Sequence, residues 1–353
     1  MAEAVRARVD RFSVVAPLSS GSPVRGRLKK LAHRARGQRY IRAQTEAGAR
    51  GFSRDADRQL DALRPDVVLS PSTLPIAYLS GDVPAVFWSD ATFEANLHFY
   101  ADYTGLADEA VLDGHRVERA AMRRAARSLF ATEHAVRSAT GYYGIDPDRV
   151  HLVLYGANLN SAPDRERVHT AIEARSTSRC RLLYVGGDWI RKGGDVAARV
   201  AEEMSRRGVP TELVVAGTEP LADQPLGHVR SVGFVDKGTA SGQAMFESLF
   251  LDSHFFCMPV RAEDFGCAFA EAAAFGLPSL TSSVGGMPST VADAGCLFPL
   301  HAQPQEIAER AITLWQDRDA YRRLAHRARA RFETHLNWDV AGDTVVDHLR
   351  EVV

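Results

Sequence analysis

The stretch HFFCMPVRAEDFGCAFAEAAAFGLPSLTSS, residues 254–283, reads as a strand, a helix and a second strand in one short span. The apolar run 254–260 ends a buried strand, and residues 261–266 make a turn. A helix starts near Cys267 and carries AFAEAAAF. Gly276-Leu277-Pro278 stops it, because glycine accepts the left-handed cap and proline cannot continue a helix. Two strands joined by a helix lie parallel in one sheet. The unit also carries two acids, Glu263 and Glu271. On one unbroken helix they would stand about 12 Å apart, at ~1.5 Å per residue, and on neighbouring faces. With the helix starting at Cys267, Glu263 sits on the loop and Glu271 in the first turns. Both then border the cavity above the strand's carboxyl end, where the first N–H groups of the helix attract an anion.

The same alternation runs outward along the chain. Short apolar runs fall at 12–18, 66–71, 85–90, 128–133, 150–156, 181–187, 212–217, 229–235, 254–260, 278–283 and 295–300. Helical patterns lie between them, among others at 53–63, 113–126, 195–207, 243–251 and 305–316. Strands apolar throughout and separated by helices predict parallel sheets covered on both faces. The pattern occurs twice, with a break near Tyr155-Gly156-Ala157-Asn158 and a polar stretch up to Arg179. A chain of 353 residues holds two such domains.

Composition narrows the chemistry. Hydrophobic residues make up 45% and charged residues 25%, as in a globular protein, and the net charge of −1 offers no general attraction to nucleic acid. Only four of the 43 basic residues are lysines, an arginine and alanine bias expected of a GC-rich bacterial genome. Cys180, Cys257, Cys267 and Cys296 have no zinc-ligand spacing and read as reduced thiols. With no apolar run long enough to cross a bilayer and no apolar leader after Met1, we expect a cytoplasmic protein. Residues 24–42, VRGRLKKLAHRARGQRYIR, are basic with a thin apolar stripe at Leu28, Leu31 and Ala35. They form either a solvated segment or a peripheral contact with anionic lipid at the inner membrane face.

Three further motifs fall at carboxyl ends of strands in the second half, where ligands bind in open α/β sheets. In LLYVGGDWIRKGGD, 182–195, Gly186 and Gly187 let a ligand approach the backbone, and Arg191 and Lys192 can offset diphosphate charge. The alternative is a glycine turn with a solvated basic pair. ELVVAGTEP places Gly217 at a strand end, and TSSVGGMPS, 281–289, is a strand end, a Gly-Gly turn and a helix start.

Together these elements resemble the family-4 glycosyltransferases, retaining enzymes of the GT-B fold. The residues that carry the likeness are Gly186-Gly187 through Lys192-Gly193, the E-x(7)-E pair Glu263 and Glu271, the Gly-Leu-Pro stop, and Gly285-Gly286-Met287-Pro288. The likeness covers residues from about 60 onward and is most specific over 180–300. It implies an α/β protein with two doubly wound Rossmann-like domains facing a cleft. Residues 1–158 would form the acceptor-side domain, 159–335 the nucleotide-sugar domain, and 336–353 a helix crossing back to the first.

By the same resemblance Glu271 holds the ribose and Glu263 the donor sugar. Lys192 neutralises the leaving phosphate, and Asp90 stands where the family places a histidine near the reacting sugar. A helix-capping role for Asp90 is the alternative. Gly186, Gly187, Arg191, Gly217, Val235, Phe265, Gly266 and Cys267 complete the implied donor contacts. No metal and no cofactor are implied, and the acceptor is a glycan, a lipid or a small molecule. Two departures bear on activity. Gly187 replaces an arginine common in the family. The first βα unit is not seen, so FSVVAPL, 12–18, stands for the family's second strand and the first domain is expected to be incomplete. These departures motivate a second reading, a non-catalytic sugar-nucleotide-binding partner subunit. Nothing suggests the pyridoxal lysine of a GT-B phosphorylase.

Overall fold

A computed structural model describes residues 1–20, 23–97, 99–220 and 226–353, the side chains of 23–28 and 226 excepted. The chain divides into two compact units, Met1–Leu154 with Ala341–Val353, and Tyr155–Val340. Among the described residues no helix is long and apolar enough to cross a membrane.

The first unit is built on a four-stranded parallel sheet in sequential order: β1 Val68–Ser70, β2 Ala85–Ser89, β3 Arg127–Phe130 and β4 Val150–Leu152. β2 is buried along almost its whole length, as its sequence AVFWS predicts. Helices Glu46–Leu63 and Asp108–Arg124 supply Leu60, Val117, Ala121 and Met122 to the core around Phe87 and Phe130. Residues 12–18 are the clearest departure from the sequence reading, since they form no strand. They pass beside the Glu46–Leu63 helix. The Ala16 amide donates to Gln59 Oε1, and the Ser19 amide and hydroxyl donate to Asp55. Val15 and Leu18 pack on the core while Val14 is exposed. Side chains of a helix, and not a neighbouring strand, hold the amides of Ala16 and Ser19.

The basic segment begins with a helix, Pro23–Arg34. Lys29 and His33 pair with Glu109, Arg39 with Asp102, and Arg42 donates to the Ser20 carbonyl. These cations are engaged within the first unit. Leu31 is exposed, and the Leu28 side chain lies outside the described residues. The last helix, Trp338–Arg350, contributes its residues from Ala341 onward to the first unit. There Asp343 pairs with Arg8, and His348 accepts from Arg127.

The second unit holds six parallel strands: β5 Cys180–Val185, β6 Thr211–Ala216, β7 Val229–Ser231, β8 Phe255–Cys257, β9 Ser279–Ser282 and β10 Gly295–Phe298. Their order is β10-β9-β8-β5-β6-β7. The order reverses between β5 and β8, and this is the doubly wound arrangement whose crevice lies at the carboxyl ends of those two strands. Between β8 and β9 runs the Cys267–Ala274 helix, starting where the glycine signals place it. Gly276 ends it at φ +57°.

Buried cations support this unit from behind. Arg175 donates to the carbonyls of Leu251 at 3.2 Å, Phe275 at 3.0 Å and Gly276 at 2.8 Å, and to the Tyr321 hydroxyl at 2.8 Å. These carbonyls close the ends of the Ala240–Leu251 and Cys267–Ala274 helices, where helix dipoles are negative. Neighbouring His254 is buried, which pushes its imidazole down to about 4 and keeps it neutral. Its Nδ1 accepts from the Arg181 amide and its Nε2 lies 2.8 Å from the Ser176 carbonyl.

Two measurements test these cores. Replacing Arg175 with Met leaves several buried carbonyls without their donor. It should lower unfolding free energy by at least about 3 kcal/mol, read from urea denaturation. In the first unit Glu118 is buried and accepts from the Thr73 hydroxyl at 2.7 Å and the Phe93 amide at 3.3 Å. Burial pushes its carboxyl from 4.5 up to about 7. The folded state therefore keeps this proton longer than the unfolded chain does. The resulting stability is present below about pH 4.5 and is lost as pH rises through about 7. Glu118→Gln removes the effect. Between about pH 4.5 and 8 the wild type should lose on the order of 3 kcal/mol relative to the variant. Parallel melting curves for the two proteins across that range would refute this.

Candidate functional site

The crevice at the β5/β8 switch is built from two loops clamped together. After β5 the chain passes Gly186 and Gly187 into residues 188–193. The ring of Trp189 is buried against Gly194, and the Tyr184 hydroxyl donates to the Asp188 carbonyl. Gly193, at φ +75°, passes so near the loop after β8 that a Cβ there would lie 2.0 Å from the Pro259 carbonyl oxygen. Arg261 fastens the two loops. Its amide donates to the Arg191 carbonyl at 2.8 Å, and its guanidinium grips both oxygens of Asp195 at 2.7 Å. Burial pushes the Asp195 carboxyl up, but Arg261, Arg199 and a backbone hydrogen bond together outweigh it and the net shift is downward.

The clamp brings the predicted residues Arg191, Lys192 and Glu263 into one cluster. Arg191 donates to the Ala262 carbonyl at 2.6 Å and to Glu263 Oε2 at 3.2 Å, and it pairs with Asp188 at 3.2 Å. Lys192 Nζ lies 3.4 Å from the same Glu263 oxygen. Its stem lies across Gly186, where a Cβ would come 2.6 Å from Lys192 Cδ, so only glycine leaves room. Gly217, at φ +94°, closes the floor beside the Gly186 carbonyl. Gly187 stands next to the Gly217 carbonyl and faces open space on its other sides.

Below Glu263 the chain turns into the Cys267–Ala274 helix. Phe265 is buried, and Thr290 donates to its carbonyl at 2.6 Å. Gly266, at φ +68°, precedes the exposed Cys267, and a Cβ there would meet Met287 at 2.8 Å. The Gly285-Gly286 turn supports the loop, with the Gly286 amide donating to the Glu263 carbonyl at 3.2 Å. The positive end of the helix dipole thus opens beside the Arg191–Lys192–Glu263 cluster.

Glu271 is buried within that helix, and its partner is Lys237, from the loop after β7. Lys237 Nζ lies 2.8 Å from Glu271 Oε1 and 2.9 Å from the Asn158 carbonyl. Burial raises the Glu271 carboxyl, while Lys237 and Lys192 pull against that shift. Sequence reading missed Lys237. The signal available was scarcity, because this chain uses arginine almost everywhere and holds four lysines, Lys29, Lys30, Lys192 and Lys237. Two of the four each face one glutamate of the E-x(7)-E pair.

Two further predicted residues lie on other segments. β7 ends at Ser231, so Val235 lies in the loop past it, half-buried and next to Phe234, which is 83% exposed. Asp90 belongs to the first unit, where its carbonyl accepts from the Thr132 hydroxyl at 2.9 Å. The helix that follows, Phe93–Asn96, is capped by Thr92, so the capping role does not fall to Asp90.

Comparisons with known proteins point the same way. Residues 179–317, which include every element of this site except Asn158, match the family model described as Glycosyl transferases group 1. The chain is 26% identical over 244 residues to an alpha-D-kanosaminyltransferase of Streptomyces kanamyceticus, covering 67% of this chain and 63% of that protein. It is 25% identical over 249 residues to a D-inositol 3-phosphate glycosyltransferase of Mycobacterium marinum, covering 67% and 52%. The chain therefore spans about half to two thirds of the length of these curated relatives. Among solved structures it is similar to sucrose-phosphate synthase of Thermosynechococcus elongatus, with a TM-score of 0.66, 18% identity and coverage of 86% of this chain and 78% of that one. It is also similar to Anabaena HepE in complex with UDP-glucose, with a TM-score of 0.60, 14% identity and coverage of 85% and 82%. The chain thus has two parallel-sheet α/β domains of the GT-B kind, and residues 179–317 of its second unit are similar to glycosyl transferases group 1.

Proposed function

We propose that the protein is a glycosyltransferase that takes a sugar from a nucleotide-diphosphate-sugar held in the second unit and transfers it with retention of configuration. The observation that carries this reading is the pairing of Glu263 with Lys192 and of Glu271 with Lys237, on either side of the helix start at Cys267. A nucleotide-sugar has the matching order of groups. Its ribose presents hydroxyls to Glu271, its diphosphate meets the helix start and Lys192, and its sugar presents hydroxyls to Glu263. HepE, of similar fold, binds UDP-glucose.

The chemistry needs little beyond placement and charge. An acceptor hydroxyl attacks the anomeric carbon as the bond from that carbon to the phosphate oxygen breaks. The departing diphosphate takes the hydroxyl proton on the same face of the sugar. Negative charge grows on the leaving oxygen, and Lys192, Arg191 and the helix dipole stabilise it in a site arranged beforehand. These groups are the reason to propose transfer without a divalent metal. Glu263 is paired with both cations. An arriving diphosphate takes over that pairing and releases the Glu263 carboxylate to accept from the sugar.

Calorimetry with UDP, GDP and ADP tests the donor site. Binding should survive a chelator, and its loss there would remove the metal-independent reading. Glu271→Ala should weaken binding of the bare nucleoside diphosphate, while Glu263→Ala should weaken only the full nucleotide-sugar. Equal small losses for both ligands in both variants would show that the two acids do not divide the donor between them. Lys192→Ala tests catalysis. Turnover, followed as transfer or as slow donor hydrolysis, should fall on the order of 100-fold or more, beyond any loss of donor affinity. A wild type that binds donor and never cleaves it would favour the non-catalytic partner subunit.

A further inference from the structure

In the scheme above Lys237 figures only as the partner of Glu271, although its setting is elaborate. Its ammonium meets three groups from three segments: Glu271 Oε1 at 2.8 Å, the Asn158 carbonyl at 2.9 Å, and the face of Phe246 with Nζ 4.9 Å from the ring centroid. Its backbone carbonyl is held by Gln243 Nε2 at 3.0 Å and Asn160 Nδ2 at 3.5 Å. Arginine could not replace it here. A guanidinium donates within one plane, whereas an ammonium donates along three diverging bonds. That difference explains a lysine at this place in a chain where only four of 43 basic residues are lysines.

We propose that Lys237 is the positioning residue for ribose recognition: it holds the Glu271 carboxylate ionised and aimed, so that the site selects a ribose diol over a deoxygenated sugar. The proposal rests on the reading that Glu271 binds the ribose. A diol offers two O–H donors, and an ionised carboxylate is acceptor-only and can take both. A protonated carboxyl keeps one hydrogen that must itself find an acceptor, so the match is lost. Glu271 is buried, and burial favours the protonated form. The charged groups facing it are Lys237, from the loop after β7, and Lys192, from the loop after β5. Lys192 is 3.4 Å from Glu263 and has the diphosphate to serve, which leaves Lys237 as the dedicated counter-charge.

The test uses the full chain and whichever of UDP, GDP and ADP the wild type binds most tightly, with the 2′,3′-dideoxy analogue of that nucleotide. Affinities are measured near pH 6.5 and near pH 9 for the wild type, Lys237→Met and Lys237→Arg. The wild type should prefer the ribose form by on the order of tenfold or more at both pH values. Lys237→Met should lose most of that preference near pH 6.5 and show a larger preference near pH 9, because burial without this counter-charge raises the Glu271 carboxyl further and higher pH favours its ionised form. Its affinity for the dideoxy analogue should stay near that of the wild type. Lys237→Arg keeps the charge but not the three directions, so its preference should be reduced and insensitive to pH. It carries the test if the Met variant does not fold. An undiminished preference in the variants overturns the proposal. So does an equal loss for both nucleotides, which would make Lys237 a phosphate ligand or a purely structural residue. If the wild type binds no nucleoside diphosphate, or binds both forms equally, the donor-site reading itself fails.

Discussion

The placement of the Cys267–Ala274 helix, charged at one end and neutralised at the other, underlies the rest of the second unit. Its carbonyl end is buried, where unsatisfied acceptors are costly. Arg175 supplies donors to the Phe275 and Gly276 carbonyls, and Arg329 supplies one to the Ala274 carbonyl. Arg331 does the same for the end of the next short helix, at Ser289 and Thr290. With cations behind it, the helix can present its positive end to the crevice without repelling an anion from a compensated far end. The arginines are far along the chain from the site, yet they decide where the site's central dipole points.

The crevice itself is a neutral arrangement of opposed charges. Arg191 is paired with Asp188 and Glu263, Lys192 shares Glu263, and Glu271 is paired with Lys237, three cations against three carboxylates. Such a site does not draw anions strongly by net charge, in keeping with a chain of net charge −1. It instead offers exchange. A ligand that carries both phosphates and hydroxyls can satisfy the cations and the acids together, whereas a simple anion satisfies the cations only. Selectivity of that kind comes from leaving buried groups unpaired when the wrong ligand binds. The glycines at 186, 193 and 266 serve the same end, because each removes a side chain that would collide with Lys192, Pro259 or Met287.

The overall plan of the protein was legible in its residues. Continuous apolar runs separated by amphipathic segments could only become parallel strands covered by helices. The strand ends with glycine at 186, 217 and 285 marked one edge of a sheet. Gly276 and Pro278 stopped the helix where the structure stops it. The identities of Lys192, Glu263 and Glu271 as a set followed from spacing and from the likeness those motifs carry. FSVVAPL was misleading for a physical reason. An apolar run shows that a segment is partly buried, but a strand also needs a neighbour for its backbone. Here Gln59 and Asp55 of a helix took that role.

What the sequence determined by itself was the local geometry, meaning which segments extend, which coil, and where a glycine must stand. The tertiary structure alone decided which charges meet. Along the chain Lys237 and Glu271 are separated by a loop, a helix and a strand, and Asp195 and Arg261 by the three strands β6, β7 and β8. No periodicity links such residues. They become partners because the sheet reverses its order between β5 and β8 and draws the loops of separate crossovers to one edge. Burial there then makes pairing obligatory, since an ionised side chain removed from water needs a counter-charge or must give up its own charge.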